Sequence, residues 1–96
     1  MPFKIKSEEK QDIGIITVEG EVDMFTSPNL RDKLLPFFKK QIKGIIVDLS
    51  KVSFMDSSGI ATLVEGLQWS KKYQKQFVLT GLTSNVMNAL SLTKLD

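Results

Sequence analysis

The run of residues 45–49, Ile-Ile-Val-Asp-Leu, is the feature that most constrains the fold of this chain. It is almost continuously apolar and rich in β-branched side chains, which is typical of a strand buried on both faces of a sheet. A helix is predicted for residues 57–73, because Ile60, Leu63 and Leu67 recur there at the spacing of a buried helix face. A buried strand that leads into a helix predicts a strand-helix-strand unit with parallel strands.

The segments before this unit predict a hairpin and a first helix. Residues 3–6 alternate apolar and polar side chains, and residues 13–19 are β-branched almost throughout, so both favour strands. Residues 11–12 between them are typical of a turn. Ser27 is predicted to cap a helix that has Pro28 at its first position.

The segments after residue 73 predict one more strand and one more helix. Residues 76–80 form the next buried strand, and Ser84 begins the last helix. Gly66 lies beside the apolar stripe of the preceding helix and would allow close packing on the sheet. The predicted fold class is therefore α/β: a single domain over residues 1–96 in the order β-β-α-β-α-β-α. Its sheet is mixed, with four to five strands and helices mainly on one face.

The charge balance argues against nucleic acid as a partner. The net charge is only +2, and all 13 basic residues except Arg31 are lysine. Base readout and bidentate phosphate recognition both favour arginine. No polybasic membrane tether is predicted, because Lys39-Lys40 and Lys71-Lys72 are only short pairs.

The chain contains no histidine and no cysteine. Without them no Ser-His or Cys-His nucleophile and no His-based zinc site can form, so we predict a non-enzymatic protein with no metal and no cofactor. A secreted domain of this size usually carries disulfides, which makes a cytoplasmic location the expectation. The apolar runs are only a few residues long, so no membrane insertion is predicted.

The turn Asp56-Ser57-Ser58-Gly59 joins a predicted strand to a predicted helix. Asp or Ser at this point would cap the helix by accepting hydrogen bonds from its first N–H groups. Gly59 would let another molecule approach the backbone closely. A phosphate added here would meet free N–H groups and the positive end of the helix dipole, and it would bring about −1.5 to −2 charges.

The stretch of residues 52–60, which contains this turn, resembles the signature of the STAS domains, named for sulfate transporters and bacterial anti-sigma factor antagonists. Residues 20–23, Gly-Glu-Val-Asp, are similar to that family's turn before its first helix. Residues 46–50 and 81–83 are similar to its central strand and to the end of its next strand. The resemblance covers essentially the whole chain. Family members commonly continue beyond the position of Asp96 with a short strand and a helix, so that part is expected to be short or missing here.

The resemblance implies a regulatory protein-binding module. In anti-sigma factor antagonists the partner is both a serine kinase and an anti-sigma factor, and the serine after the aspartate accepts phosphate, which releases the partner. That position is Ser57 here. Asp56 and Ser58 would shape the turn, while Asp23 and Thr26 from the neighbouring loop would contribute to the partner-binding surface. The alternative is that the turn is a helix cap and nothing more.

Three large side chains are further candidates for partner contact. Met24 and Phe25 adjoin Asp23 and would either dock a partner or anchor their loop in the core. Trp69 lies nine residues after Ile60, which places it about 180° around the helix from the core stripe. It would then form an exposed surface for a partner or a weak homodimer, or else pack under a loop or under the missing C-terminal segment.

Two other functions compete with the phosphorylation switch. STAS domains also serve as cytoplasmic subunits of ABC-type lipid transporters, docked on the transporter ATPase, and residues 59–68 are similar to that branch. There the turn serine need not be phosphorylated. Nucleotide binding at the same helix start is the weakest hypothesis, because no Gly-rich loop with Lys-Ser/Thr is present.

Overall fold

The computed structural model describes residues 3–84, 86 and 87, and it confirms the predicted order of elements. The elements are β1 (Lys4–Lys10), β2 (Ile13–Val22), α1 (Ser27–Phe38), β3 (Gly44–Met55), α2 (Ser57–Lys72) and β4 (Gln76–Thr80). Ser84, Val86 and Met87 are helical, as predicted for the start of a third helix. The prediction for the rest of that helix lies outside the described residues.

The four strands form one mixed sheet in the order β1-β2-β3-β4. β1 and β2 are antiparallel, while β2 pairs with β3 and β3 with β4 in parallel. The β1–β2 turn consists of Gln11 and Asp12, both with positive φ, at 50° and 66°. This backbone is typical of tight hairpin turns, because its twist matches that of the flanking strands. The predicted turn is thus confirmed.

The hydrophobic core lies between the sheet and the two long helices, which pack side by side. It includes buried residues of β2 and β3 together with buried residues of both helices: Ile16, Val18, Val47, Leu49, Leu30, Leu34, Phe38, Ile60 and Leu63. Gly66 brings α2 against β4, since a Cβ there would lie 2.7 Å from Cζ of Phe77. The predicted close packing at Gly66 is therefore confirmed.

β2 and β3 are longer than the sequence predicted. The expected strands were residues 13–19 and 45–49, but β2 reaches Val22 and β3 reaches Met55. Register shifts between Thr17 and Glu19 and between Gly20 and Glu21 let the pairing continue. Gly20 adopts φ 98°, which a glycine tolerates without steric cost. The glycine therefore marks an irregularity inside the strand, and both strands extend to a common end.

The first helix starts one residue earlier than predicted. Thr26 is its N-cap, and Ser27, the expected cap, is buried within the first turn. The Thr26 hydroxyl is used by the preceding loop, so no side chain caps this helix. Among the described residues, no helix is both long and apolar enough to cross a membrane.

Candidate functional site

The two segments that the sequence singled out meet at the carboxyl ends of β2 and β3. These strands are parallel neighbours, and Val22 pairs with Met55 at their last position. The backbone N–H of Asp56 donates to the carbonyl of Val22 at 3.1 Å. The loop after β2 and the turn after β3 therefore lie side by side, at the sheet edge where parallel α/β folds usually place their binding sites.

Asp56 caps α2 as predicted. Its Oδ1 accepts the backbone N–H of Ser58 at 2.9 Å and that of Gly59 at 3.3 Å, and the Ser58 hydroxyl donates to the same oxygen at 2.6 Å. The hydrogen bond from the Ser58 hydroxyl is the main cause that holds the pKa of Asp56 below its ordinary value. Burial is the next largest effect and opposes it by raising this pKa, while the N–H groups of Gly59, Ser58 and Met24 each lower the pKa by less. Asp56 is therefore ionised at neutral pH.

The two adjacent serines differ in what their hydroxyls do. The Ser58 hydroxyl is bonded to Asp56, and its side chain is half-buried. Ser57 is exposed at the first position of α2, and its hydroxyl forms no hydrogen bond with the part of the chain that the structure describes. Of the pair, Ser57 alone presents an accessible and uncommitted hydroxyl. This difference between Ser57 and Ser58 depends on the direction in which each side chain points, which cannot be deduced from two identical neighbouring residues in the sequence.

The electrostatics at this helix start differ from the expectation of free N–H groups. Asp56 already occupies the N–H groups of Ser58 and Gly59. A phosphate on Ser57 would therefore lie beside a carboxylate, and Asp23 belongs to the neighbouring loop. Because like charges repel at short range, we expect a phosphate here to stabilise the helix little. Its main effect would be to make this surface more negative.

The structure corrects the role expected for Gly59. This residue is buried, and a Cβ there would lie 2.6 Å from Cγ of Met55 and 2.8 Å from Cγ1 of Val22. Glycine is therefore needed so that α2 can pack closely on the ends of β2 and β3. Gly59 faces the core, where a partner cannot reach its backbone.

Polar contacts within the loop of residues 23–26 hold it in shape. Asp23 Oδ1 accepts the backbone N–H of Phe25 at 2.9 Å and that of Thr26 at 3.1 Å. The Thr26 hydroxyl accepts the N–H of Asp23 at 2.9 Å and donates to the carbonyl of Glu21 at 2.9 Å. Asp23 and Thr26 are thus largely occupied with their own loop. We therefore expect them to contribute to a partner-binding surface by fixing the conformation of the loop.

Met24 and Phe25 project from the tip of this loop. Their exposed fractions are 67% and 81%, so the interpretation that they anchor the loop in the core is wrong. The internal hydrogen bonds make such an anchor unnecessary. Phe54 is also exposed, by 47%, and lies two residues before Asp56. Sequence reasoning missed Phe54, because strict alternation along β3 fails where its register shifts.

Trp69 lies far from this group of residues. It is twelve positions along α2 from Ser57, which corresponds to about 18 Å. Its ring packs edge-on against Phe38 with centroids 5.7 Å apart, and the Arg31 guanidinium lies 5.4 Å from the ring. The expectation that Trp69 points away from the core is wrong, because α1 lies along that flank of α2.

Comparison with known proteins agrees with the family resemblance seen in the sequence. The family model for the STAS domain matches residues 4–96. An anti-sigma-B factor antagonist of Listeria monocytogenes is 30% identical over 94 residues, which span 98% of this chain and 82% of that protein. An anti-sigma factor antagonist from Mycobacterium paratuberculosis has a crystal structure that superposes with a TM-score of 0.87 at 24% identity, over 99% of this chain and 80% of the other. The Bacillus cell fate determinant SpoIIAA in its phosphorylated form gives a TM-score of 0.78 at 19% identity, over 98% and 85%.

Proposed function

Because this chain belongs to the STAS domain family, we propose that it acts as an anti-sigma factor antagonist whose binding is switched off by phosphorylation of Ser57. The observation that carries the proposal is the exposed Ser57 hydroxyl, which is uncommitted among the described residues and lies next to a serine bonded to Asp56. The partner is a protein that combines anti-sigma factor and serine kinase activities.

The chemistry of the switch belongs to the partner. The γ-phosphoryl group of ATP passes to Oγ of Ser57, ADP leaves, and the hydroxyl proton is released. This chain supplies the acceptor and holds it at a fixed place, since the Asp56 cap orders the first turn of α2. No catalytic residue of this chain takes part.

The unphosphorylated surface combines apolar and acidic side chains. Met24, Phe25 and Phe54 offer exposed apolar area, which is what a protein interface needs at its centre. Asp23 and Asp56 are close to these side chains in the chain and make the surface acidic. A phosphate on Ser57 adds about −1.5 to −2 charges beside these carboxylates, and burying it against a partner would cost its hydration and bring like charges together. We expect binding to be lost for this reason.

Affinity purification from the source organism tests the proposal. Tagged wild type, Ser57→Ala and Ser57→Asp are used as baits, and bound proteins and phosphosites are identified by mass spectrometry. We expect an anti-sigma factor kinase on the wild type and on Ser57→Ala, phosphate only on wild-type Ser57, and binding at least about tenfold weaker for Ser57→Asp. Ser7→Asp is the matched control, since it adds the same charge at an exposed position of β1.

Two results would contradict the switch. Equal capture by Ser57→Asp and Ser57→Ala would show that charge at Ser57 does not control binding. Capture of a transporter ATPase, with Ser57 unmodified, would favour the STAS subunit of an ABC-type lipid transporter instead.

A further inference from the structure

Three loops converge at the end of the sheet opposite to Ser57. They are the β1–β2 turn, the segment of residues 39–43 after α1, and the segment of residues 73–75 after α2. The backbone N–H of Lys43 donates to the carbonyl of Asp12 at 2.7 Å, and that of Gln76 donates to the carbonyl of Lys43 at 3.1 Å. These bonds join segments that are more than 30 positions apart in the chain into one surface.

This surface gathers lysines that are separate in the sequence. We define the lysine pole as the six lysines in the last turn of α2 and in the segments that follow α1 and α2: Lys39, Lys40, Lys43, Lys71, Lys72 and Lys75. Neither residues 38–47 nor residues 66–87 contain an acidic side chain. Each pair by itself does not predict a polybasic surface, but the fold places both pairs at one end together with Lys43 and Lys75.

Two members of the lysine pole are engaged in the structure. Lys40 forms an ion pair with Glu9 at 3.3 Å, and Lys75 Nζ donates to the carbonyl of Ile42 at 2.8 Å. The other four, Lys39, Lys43, Lys71 and Lys72, are exposed and form no ion pair with the described residues. The acidic residues of this end come from the β1–β2 hairpin: Glu8, Glu9 and Asp12. The lysines outnumber them.

Helix dipoles explain only part of the arrangement. Lysine near a helix C-terminus is favourable by itself, and this accounts for Lys71 and Lys72 in the last turn of α2. Lys75 lies in a loop and donates to the carbonyls of Lys40 and Ile42, which gives its ammonium a structural role. Lys43 also lies in a loop, and its side chain has no such partner among the described residues. The concentration of charge thus exceeds what the stability of the helices needs.

The composition of the lysine pole indicates what it binds. The large hydrophobic residues exposed in the described part of the chain are Met24, Phe25, Phe54, Val78 and Met87, and none belongs to these loops or to the last helical turns. Protein interfaces are centred on apolar and aromatic anchors and are depleted in lysine. The single arginine of the chain, Arg31, pairs with Glu65, so the pole has no guanidinium for base readout.

We propose that the lysine pole binds the surface of an anionic lipid bilayer, without insertion of the chain. Flexible lysines act as point charges that suit a surface carrying many phosphate groups without fixed geometry. Each lysine close to such a surface raises the affinity about fivefold, and clusters of four to eight bind measurably. The proposal revises the sequence-based expectation against a polybasic tether and does not depend on phosphorylation of Ser57.

The geometry also gives the orientation of the bound protein. β2 and β3 both run from the lysine pole to the Ser57 turn, and the ten residues of β2 span about 30 Å. The longest dimension of the molecule is 32 Å. Ser57, Met24 and Phe25 would therefore face away from the bilayer, where they remain accessible to a protein partner.

Vesicle co-sedimentation of the full chain tests this proposal. The vesicles are phosphatidylcholine alone and an equimolar mixture of phosphatidylcholine and phosphatidylglycerol. We expect binding to the mixed vesicles only, weakened by added salt because charge drives it. Replacement of Lys39, Lys43, Lys71 and Lys72 by Gln should reduce the binding at least about tenfold.

The matched control removes the same number of charges elsewhere. Replacement of Lys4, Lys6, Lys33 and Lys51 by Gln, all exposed and outside the lysine pole, should leave most of the vesicle binding intact. Three results would overturn the proposal: no binding to mixed vesicles, equal loss in both fourfold variants, or equal binding to neutral vesicles. Binding of a random-sequence DNA duplex through the same lysines, without vesicle binding, would assign the lysine pole to nucleic acid instead.

Discussion

The Ser58 hydroxyl donates a hydrogen bond of 2.6 Å to Asp56 Oδ1. This contact joins the residue that caps α2 to the second serine of the turn. The side chain of the neighbouring Ser57, by contrast, is exposed. The contact therefore supports the start of α2 and distinguishes the two serines, of which Ser57 is the proposed phosphate acceptor.

The first prediction concerns the pKa of Asp56. Removal of the hydroxyl in Ser58→Ala should raise this pKa toward the ordinary value of about 3.9, because the largest stabilising contact of the carboxylate is lost. NMR titration of the Asp56 carboxyl measures the change. Ser57→Ala is the matched control and should leave the titration where it is in the wild type. A rise of equal size in both variants would contradict the assignment of the hydrogen bond.

The second prediction is the pH dependence that this pKa implies. The folded-state pKa of Asp56 is lowered, so its contribution to stability is present above about pH 3.9 and is lost as the pH falls through the folded value. The difference in unfolding free energy between wild type and Asp56→Ala should therefore be about 1–2 kcal/mol at neutral pH. It should shrink below about pH 4. Urea unfolding at a series of pH values checks this, and a difference that is constant with pH would count against it.

The third prediction concerns Gly59. Gly59→Ala should destabilise the fold by about 1–2 kcal/mol, although alanine is the better helix former, because the new methyl group would overlap Val22 and Met55. Thermal and urea unfolding measure this cost. In a Val22→Ala background the cost should fall, since the clash with Cγ1 is removed. An unchanged cost in that background would show that the close packing is not its cause.

The fourth prediction separates two roles for Trp69. Since its ring packs on Phe38 and under Arg31, Trp69→Ala should cost about 2–3 kcal/mol of stability. Trp69→Phe should cost less, because a smaller ring still reaches Phe38. Both variants, measured under conditions where they are folded, should bind the partner as the wild type does. Weaker binding by a stable Trp69→Phe would instead make this position part of the interface.

The fifth prediction tests the exposed loop tip. Phe25→Ala should change the unfolding free energy by no more than about 0.5 kcal/mol, because the side chain is 81% exposed. It should weaken partner binding at least about tenfold if Phe25 is an anchor of the interface. Val78→Ala is the matched control, an exposed apolar residue on β4. Equal affinities of Phe25→Ala and wild type in calorimetry would remove Phe25 from the interface.

Several features of the site were predictable because they depend on residues close together in the chain. The Asp56 cap links positions two and three apart, and the start of α2 at Ser57 follows from it. β4 and the start of α2 were predicted at the residues where the structure has them. Boundaries that depend on pairing between strands were not, and β2 and β3 both continue past the residues expected to end them.

Local pattern alone was enough to establish the mixed α/β fold and to indicate the turn of residues 56–59, because capping, turn and periodicity signals act within a few residues. The burial of Gly59, the packing of Trp69 on Phe38 and the exposure of Phe25 were decided by the tertiary structure. So was the assembly of the lysine pole. Each of these depends on where segments distant in the chain are brought into contact by the common core, and no short stretch of sequence contains that information.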